Sequence, residues 1–334
     1  MISMEARNNN RSQWVQKLLM GNKAFMICLG LCIIMAFASP VFMRTSNLLN
    51  ILRQVCVSTL LSIGFTVVLA SGQIDLSVGN MLGLCGMVLA KLIKDVSLPL
   101  PAAILFTLIL AMICGALNAA LITVFRVVPF IVTLATQSIF KGATYLISNL
   151  VPVAGLPDGL LTLGQGYWLG IPIPVYIMLI VVVMAWIMVN RTKFGRYVLA
   201  MGGNSEAARV SGINVDKMRF GVYMCCGLCT GIAAIIMTAR TASAQVAAGQ
   251  GMEMDAIAAV VIGGTSMSGG NANVWGTLFG CLVVGIVNNG MNLLGVNANW
   301  QIIAKGVLIL IAVVIDTLSI RAQNAMLNKR AAAQ

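Results

Sequence analysis

Apolar residues in this chain neither alternate nor recur on a single helical face. They run on without interruption, and short polar segments separate the runs. Runs of about 20 residues match helices that cross roughly 30 Å of hydrocarbon. They lie at residues 24–42, 55–71, 76–92, 102–125, 130–150, 173–189, 220–238, 274–294 and 300–318. A shorter run, Ala256–Gly264, follows Asp255 and breaks into a Gly- and Ser-rich stretch ending at Gly270. The pattern predicts an all-α integral membrane protein. Its transmembrane domain covers 24–318, with an amino-terminal segment 1–23 and a tail 319–334.

Basic residues orient these runs, because cytoplasmic loops carry the excess of Lys and Arg. Segment 190–219 holds Arg191, Lys193, Arg196, Arg209, Lys217 and Arg219, while the amino terminus holds Arg7, Arg11, Lys17 and Lys23. Six runs lie between these segments, so both fit on the inside. Arg321, Lys329 and Arg330 place the tail there too, which requires an even number of crossings after residue 219. Three clear runs and the short one make four, so the expectation is ten transmembrane helices with both termini cytoplasmic. Arg44 and Arg53 then flank an outside loop, as do Lys91 and Lys94, against the trend.

Ten spans divide as five plus five, and an odd number per half makes the halves inverted repeats of each other. The strings Gly72-Gln73-Ile74-Asp75-Leu76 and Gly251-Met252-Glu253-Met254-Asp255-Ala256 echo one another. Each is a polar, glycine-containing break with an acid that opens a helix rich in small residues.

Composition narrows the function. Hydrophobic residues make up 59% of the 334 and charged residues 9%, too little polar surface for a water-facing domain. The net charge of +12 would suggest nucleic acid in a soluble protein. Here the basic residues flank apolar runs, so no nucleic-acid partner is expected. With no histidine, Ser-His and Cys-His catalysis and imidazole-based zinc sites are excluded. The nine cysteines all lie in apolar runs, so Cys226-x-x-Cys229 reads as helix packing rather than a redox or metal site. Ala36-Phe37-Ala38 resembles a signal cleavage site, but the run continues to Phe42 and further spans follow, so an uncleaved first helix is expected.

Polar residues within or beside the runs are the candidates for a translocation path. Asp75 either caps the third span, where the helix dipole favours a carboxylate, or gates a wet path. Asp255, with Glu253, has the same two readings. Lys141 sits midway along the fifth run, where a charge costs about 2.5–3.5 kcal/mol on insertion scales, so it must face protein or water. Lys305 can snorkel to the interface. Asn288, Asn289 and Asn292 either bind a hydroxylated solute or tie helices together. The same buried acids would serve proton-coupled transport. Gly263–Gly270 reads as a tight turn between packed helices rather than an ion filter.

In segment 190–219, Ser205 is positioned to cap a short helix, Glu206 favours its amino end and Gly212 can end it. Such a helix either lies in the membrane interface or forms a rigid knob for a cytoplasmic partner to push.

Glu206-Ala207-Ala208-x-x-x-Gly212 resembles the EAA-type coupling motif of permeases in ATP-binding cassette importers. Ile74–Gly79, Phe194-Gly-Arg196-Tyr197, Asn204–Asn214, Met254–Thr265 and Asn288–Gly295 are similar to ribose-type permeases of bacterial monosaccharide importers, and the likeness spans about 40–318. The Leu-Pro that follows the general EAA motif is missing. The resemblance implies a pore of two permease subunits, ATPase partners that bind ATP and magnesium at the cytoplasmic face, and a periplasmic sugar-binding protein. It assigns ATPase coupling to Arg196, Asn204, Glu206, Ala207, Ala208, Arg209 and Gly212. Binding-protein docking is expected at Arg44, Arg53, Lys91 and Lys94 with the external loop 151–172. The path is expected at Asp75, Lys141, Asp255, Asn288 and Asn292. No Gly-x-x-x-x-Gly-Lys-[Ser/Thr] string occurs, so this chain is expected to be no enzyme and to bind no cofactor itself. Related permeases for branched-chain amino acids keep a second cargo open. The inner membrane is the expected location.

Overall fold

The computed structural model describes residues 23–332, so all of the amino-terminal segment except Lys23 lies outside the described residues. Ten helices follow the ten apolar runs. They are α1 (Lys23–Ala38), α2 (Thr45–Ala70), α3 (Val78–Lys94), α4 (Leu100–Val124), α5 (Pro129–Ser148), α7 (Ile173–Arg191), α10 (Val215–Thr241), α11 (Met252–Ile262), α12 (Val274–Leu293) and α13 (Ala298–Ala332). Three shorter helices occupy the connections: α6 (Asp158–Gln165), α8 (Lys193–Gly203) and α9 (Ser205–Val210). Two small antiparallel pairs complete the fold, β1 (Val153–Ala154) with β4 (Ser243–Ala244), and β2 (Tyr167–Trp168) with β3 (Ile171–Pro172).

Among the described residues, six helices are long and apolar enough to cross a membrane: α2, α4, α5, α7, α10 and α12. Shorter apolar stretches occupy Ala24–Ala38 and Ala298–Ile311. With 11 residues, α11 rises only about 16 Å, half the thickness of the hydrocarbon layer.

Several boundaries move. α2 begins at Thr45 rather than 55, because Leu48, Leu49, Ile51 and Leu52 continue its apolar face through polar neighbours; Arg53 is therefore on a helix and not in a loop. Lys91 and Lys94 form the last turn of α3, where cations suit the helix dipole. The predicted separate tail continues α13 to Ala332, in a stretch rich in good helix formers.

The core is built on α2 and α10, which pack against each other. Each also packs on the other half of the chain, α2 against α11 and α12, and α10 against α3 and α4. Close approach depends on small residues: Gly64 of α2 faces Cys226 and Cys229, and Gly115 of α4 lies on the backbone of Tyr223. The nine cysteines are free and at least half-buried, so Cys226-x-x-Cys229 packs helices.

The connections collect at two ends. At one, Arg53 donates to the Gln165 carbonyl (3.1 Å), Gln165 donates to the Arg240 carbonyl (3.1 Å), and β1 pairs with β4. At the other, the Gly270 N–H donates to the Ala70 carbonyl (2.9 Å), while Gly202, Gly72 and Gly269 pack backbone to backbone. The first end holds segments expected outside, and the second holds those expected inside.

Candidate coupling helix and translocation path

The candidate coupling segment is a chain of capped helices. Thr192 Oγ1 accepts from the Gly195 N–H (3.2 Å) to start α8. Asn204 Oδ1 accepts from the Ala207 N–H (3.0 Å) to start α9, and Asn214 Oδ1 accepts from the Lys217 N–H (2.9 Å) to start α10. Asn204, not Ser205, is the cap of α9; Ser205 is already helical. Gly212 ends the turn at φ +85°, a left-handed backbone that favours glycine. Only Ala208 is buried, anchoring α9, while Glu206, Ala207 and Arg209 are exposed, as is Arg196 on α8. Val210 is 89% exposed, an apolar tip that motif reading overlooked. Glu206 and Arg209 approach to 3.7 Å in solvent, a pair that adds little stability.

The helix α8 runs directly into a joint of glycines. A Cβ on Gly202 would collide with the Ala70 carbonyl, and one on Gly269 would collide with Gly72 and Gly202. Thus α8, the 71–77 break and the 263–273 loop form one close-packed contact. The 263–270 stretch is more than a tight turn, because it closes on the coupling segment.

Asp75 lies fully buried in the 71–77 break. Its Oδ1 accepts from the Ser77 N–H (2.9 Å) and hydroxyl (2.6 Å) and, at 3.5 Å, from Asn118 of α4. Tyr223 donates to the adjacent Ile74 carbonyl (3.2 Å). Asp75 therefore fastens the break to α4 rather than capping α3, whose cap position is Ser77. Asn118 and Tyr223 carry no motif, and nothing in the sequence marks them.

A second polar group surrounds the start of α11. Gln137 of α5 donates to Glu253 Oε1 (2.8 Å), and Asn80 of α3 donates to the Gln137 carbonyl (3.2 Å). Glu253 packs on Gly79 and is 6% exposed; Oε2 has no hydrogen-bond partner among the described residues. Gln250 donates to the Tyr145 hydroxyl (3.2 Å), and Lys141 Nζ stands 5.8 Å from the Tyr145 ring centre. Lys141 is thus half-buried beside an aromatic ring of its own helix.

The remaining path candidates lie on α11 and α12. Asp255 pairs with Lys305 at 2.9 Å, so Lys305 does not snorkel; with Asn288 they line a small cavity between α11, α12 and α13. Asn289 exchanges amide hydrogen bonds with Asn47 (2.9 and 3.1 Å), and Asn292 accepts from Gln301 (2.8 Å). At the end that holds α6, Arg53 lies 4.5 Å from the Tyr167 ring centre and Lys91 pairs with Asp95 at 2.9 Å. Arg44 and Lys94 are exposed.

Residues 47–313 match the family model described as branched-chain amino acid transport system / permease component. The ribose import permease protein RbsC of Bacillus subtilis (strain 168) is 44% identical over 288 residues, covering 86% of this chain and 89% of that protein. The D-allose transport system permease protein AlsC of Escherichia coli (strain K12) is 37% identical, covering 88% of this chain and 90% of its own. The xylose transport system permease protein XylH of Haemophilus influenzae (strain ATCC 51907 / DSM 11121 / KW20 / Rd) is 32% identical over 88% and 96%. No solved structure matches the chain.

Proposed function

The chain belongs to the branched-chain amino acid transport system / permease component family, and from that premise we propose that it is the membrane-spanning subunit of an ATP-driven monosaccharide importer. The observation that carries the cargo is end-to-end similarity to ribose, allose and xylose permeases. It favours a sugar over the branched-chain amino acids of the family's description.

The chain works in the inner membrane as a transport subunit. A partner ATPase would supply ATP hydrolysis with magnesium, a second permease subunit would complete the pore, and a periplasmic protein would deliver the sugar. Ten crossings with both termini inside are consistent with the two ends described above. Matching polar links within the two halves support an inverted repeat: Asn80–Gln137 links α3 to α5, and Asp255–Lys305 links α11 to α13. Each polar contact joins the short broken helix of a half to that half's last long helix.

In this reading the ATPase subunits press on α9 through Glu206, Ala207, Arg209 and Val210, and on α8 near Arg196. The Gly202 joint carries the movement to both broken helices, which open the path alternately to either side. Arg44 and Lys94, together with the 151–172 loop, meet the binding protein, while Arg53 and Lys91 hold the outer face in shape. Proton coupling is less well supported, because Asp255 is neutralised by Lys305 and Asp75 is held by Ser77 and Asn118.

The test is a mild-detergent pull-down of the tagged chain from its native membrane. An ATPase subunit should accompany the parent and be lost with Glu206→Lys. A chain that comes down alone yet moves ribose would overturn the assignment.

A further inference from the structure

Most of the outward surface of the long helices is plain hydrocarbon, with Leu105, Ile109 and Ile113 on α4 and Ile180, Val183 and Ile187 on α7. α5 departs from this. Leu134, Ser138, Lys141 and Tyr145 follow one another at helical spacing and so share a face. Ser138 is exposed, and Lys141 and Tyr145 are half-exposed. Gln250, also exposed, reaches the same face from the break before α11 and binds the Tyr145 hydroxyl. Behind this face lies Glu253, buried, with Oε1 held by Gln137 and Oε2 unpartnered among the described residues.

Lysine, glutamine and an unpartnered carboxylate oxygen are costly against lipid and occur in membranes where water or a solute path reaches them. The start of α11 is likewise a helix end without a side-chain cap. The group also has the composition of a sugar site. The Tyr145 ring offers an apolar face to the C–H face of a sugar ring, and Lys141, Ser138 and Gln250 offer donors and acceptors to its hydroxyls.

We propose that Ser138, Lys141, Tyr145 and Gln250 form a sugar-contacting wall of the translocation path at the start of the second broken helix. The identity of the cargo rests on the importer reading; the presence of a wet wall does not. Ile139 and Leu146, exposed on the other edge of α5, are apolar and serve as the comparison.

The test has two arms on the intact transporter in its native cells. Ser138→Cys, Tyr145→Cys and Ile139→Cys are treated with a charged, membrane-impermeant thiosulfonate, with the parent chain recording the background from its native cysteines. Thiols at 138 and 145 should react at least about tenfold faster than at 139; equal, slow labelling at all three overturns the wall. In the second arm, Lys141→Met and Gln250→Leu should each raise the KM for ribose uptake about tenfold, the loss of one strong hydrogen bond, at matched surface expression. An unchanged KM in a transporting parent overturns the sugar contact. A parent that moves no ribose, allose or xylose counts against the importer reading, and labelling then still decides the wall.

Discussion

At the scale of residues, charges in the membrane-spanning region are mostly held by neighbours. The Lys305–Asp255 contact at 2.9 Å, with side chains 36% and 13% exposed, ties α13 to α11. Removing one partner leaves the other charge without compensation, at a cost of roughly 3–5 kcal/mol for a buried pair and less at this exposure. Asp255→Asn and Lys305→Gln should each lower the thermal midpoint of the detergent-solubilised protein, and the double variant should recover most of the loss. A double variant as unstable as the sum of the singles would mean that the pair does not interact. Asp75, Asp255 and Lys141 were visible in the sequence as charges needing company. Their partners Asn118, Lys305 and Tyr145 lie 43, 50 and 4 positions away. Only the last separation is a local helical one that periodicity can suggest.

At the scale of elements, the apolar runs located the helices because lipid demands length and hydropathy together. The α6 and α8 helices escaped notice, since neither lies in an apolar run. The coupling helix was legible because its motif is local, although its cap moved from Ser205 to Asn204. Asn204→Ala should weaken α9 by about 1 kcal/mol and reduce ATP-driven uptake, whereas Asn204→Asp should preserve both; equal uptake by the two variants would remove the cap from the coupling route. The glycine joint makes a sharper contrast. A Cβ on Gly202 strikes the Ala70 carbonyl, whereas one on Gly203 meets nothing within 4 Å. Gly202→Ala should cost about 1–3 kcal/mol from overpacking and lower uptake relative to ATP hydrolysis, while Gly203→Ala should match the parent. Uptake-to-hydrolysis ratios in membrane vesicles would show the difference, and equal ratios would place the joint outside the coupling route.

At the scale of the whole molecule, two long helices, α2 and α10, cross-pack on the broken helices of the opposite halves. On the proposed function, a displacement at α9 reaches α3 through the 71–77 break and α11 through the 263–273 loop, at one contact between Gly202, Gly72 and Gly269. The expected order of inside and outside segments was readable from Lys and Arg counts, which bias orientation. The cross-packing was not, because it depends on small residues such as Gly64, Gly115 and Gly227 whose partners no local pattern names. On the proposed function, these parts build a sugar path worked from the cytoplasm by a partner ATPase. The most direct measurement is labelled ribose uptake by native cells that carry or lack this chain, with ATP depletion and collapse of the proton gradient applied separately. Uptake should require the chain, stop when ATP is depleted, and persist when the gradient collapses while ATP is maintained. Uptake that survives ATP depletion and stops with the gradient would contradict an ATP-driven importer.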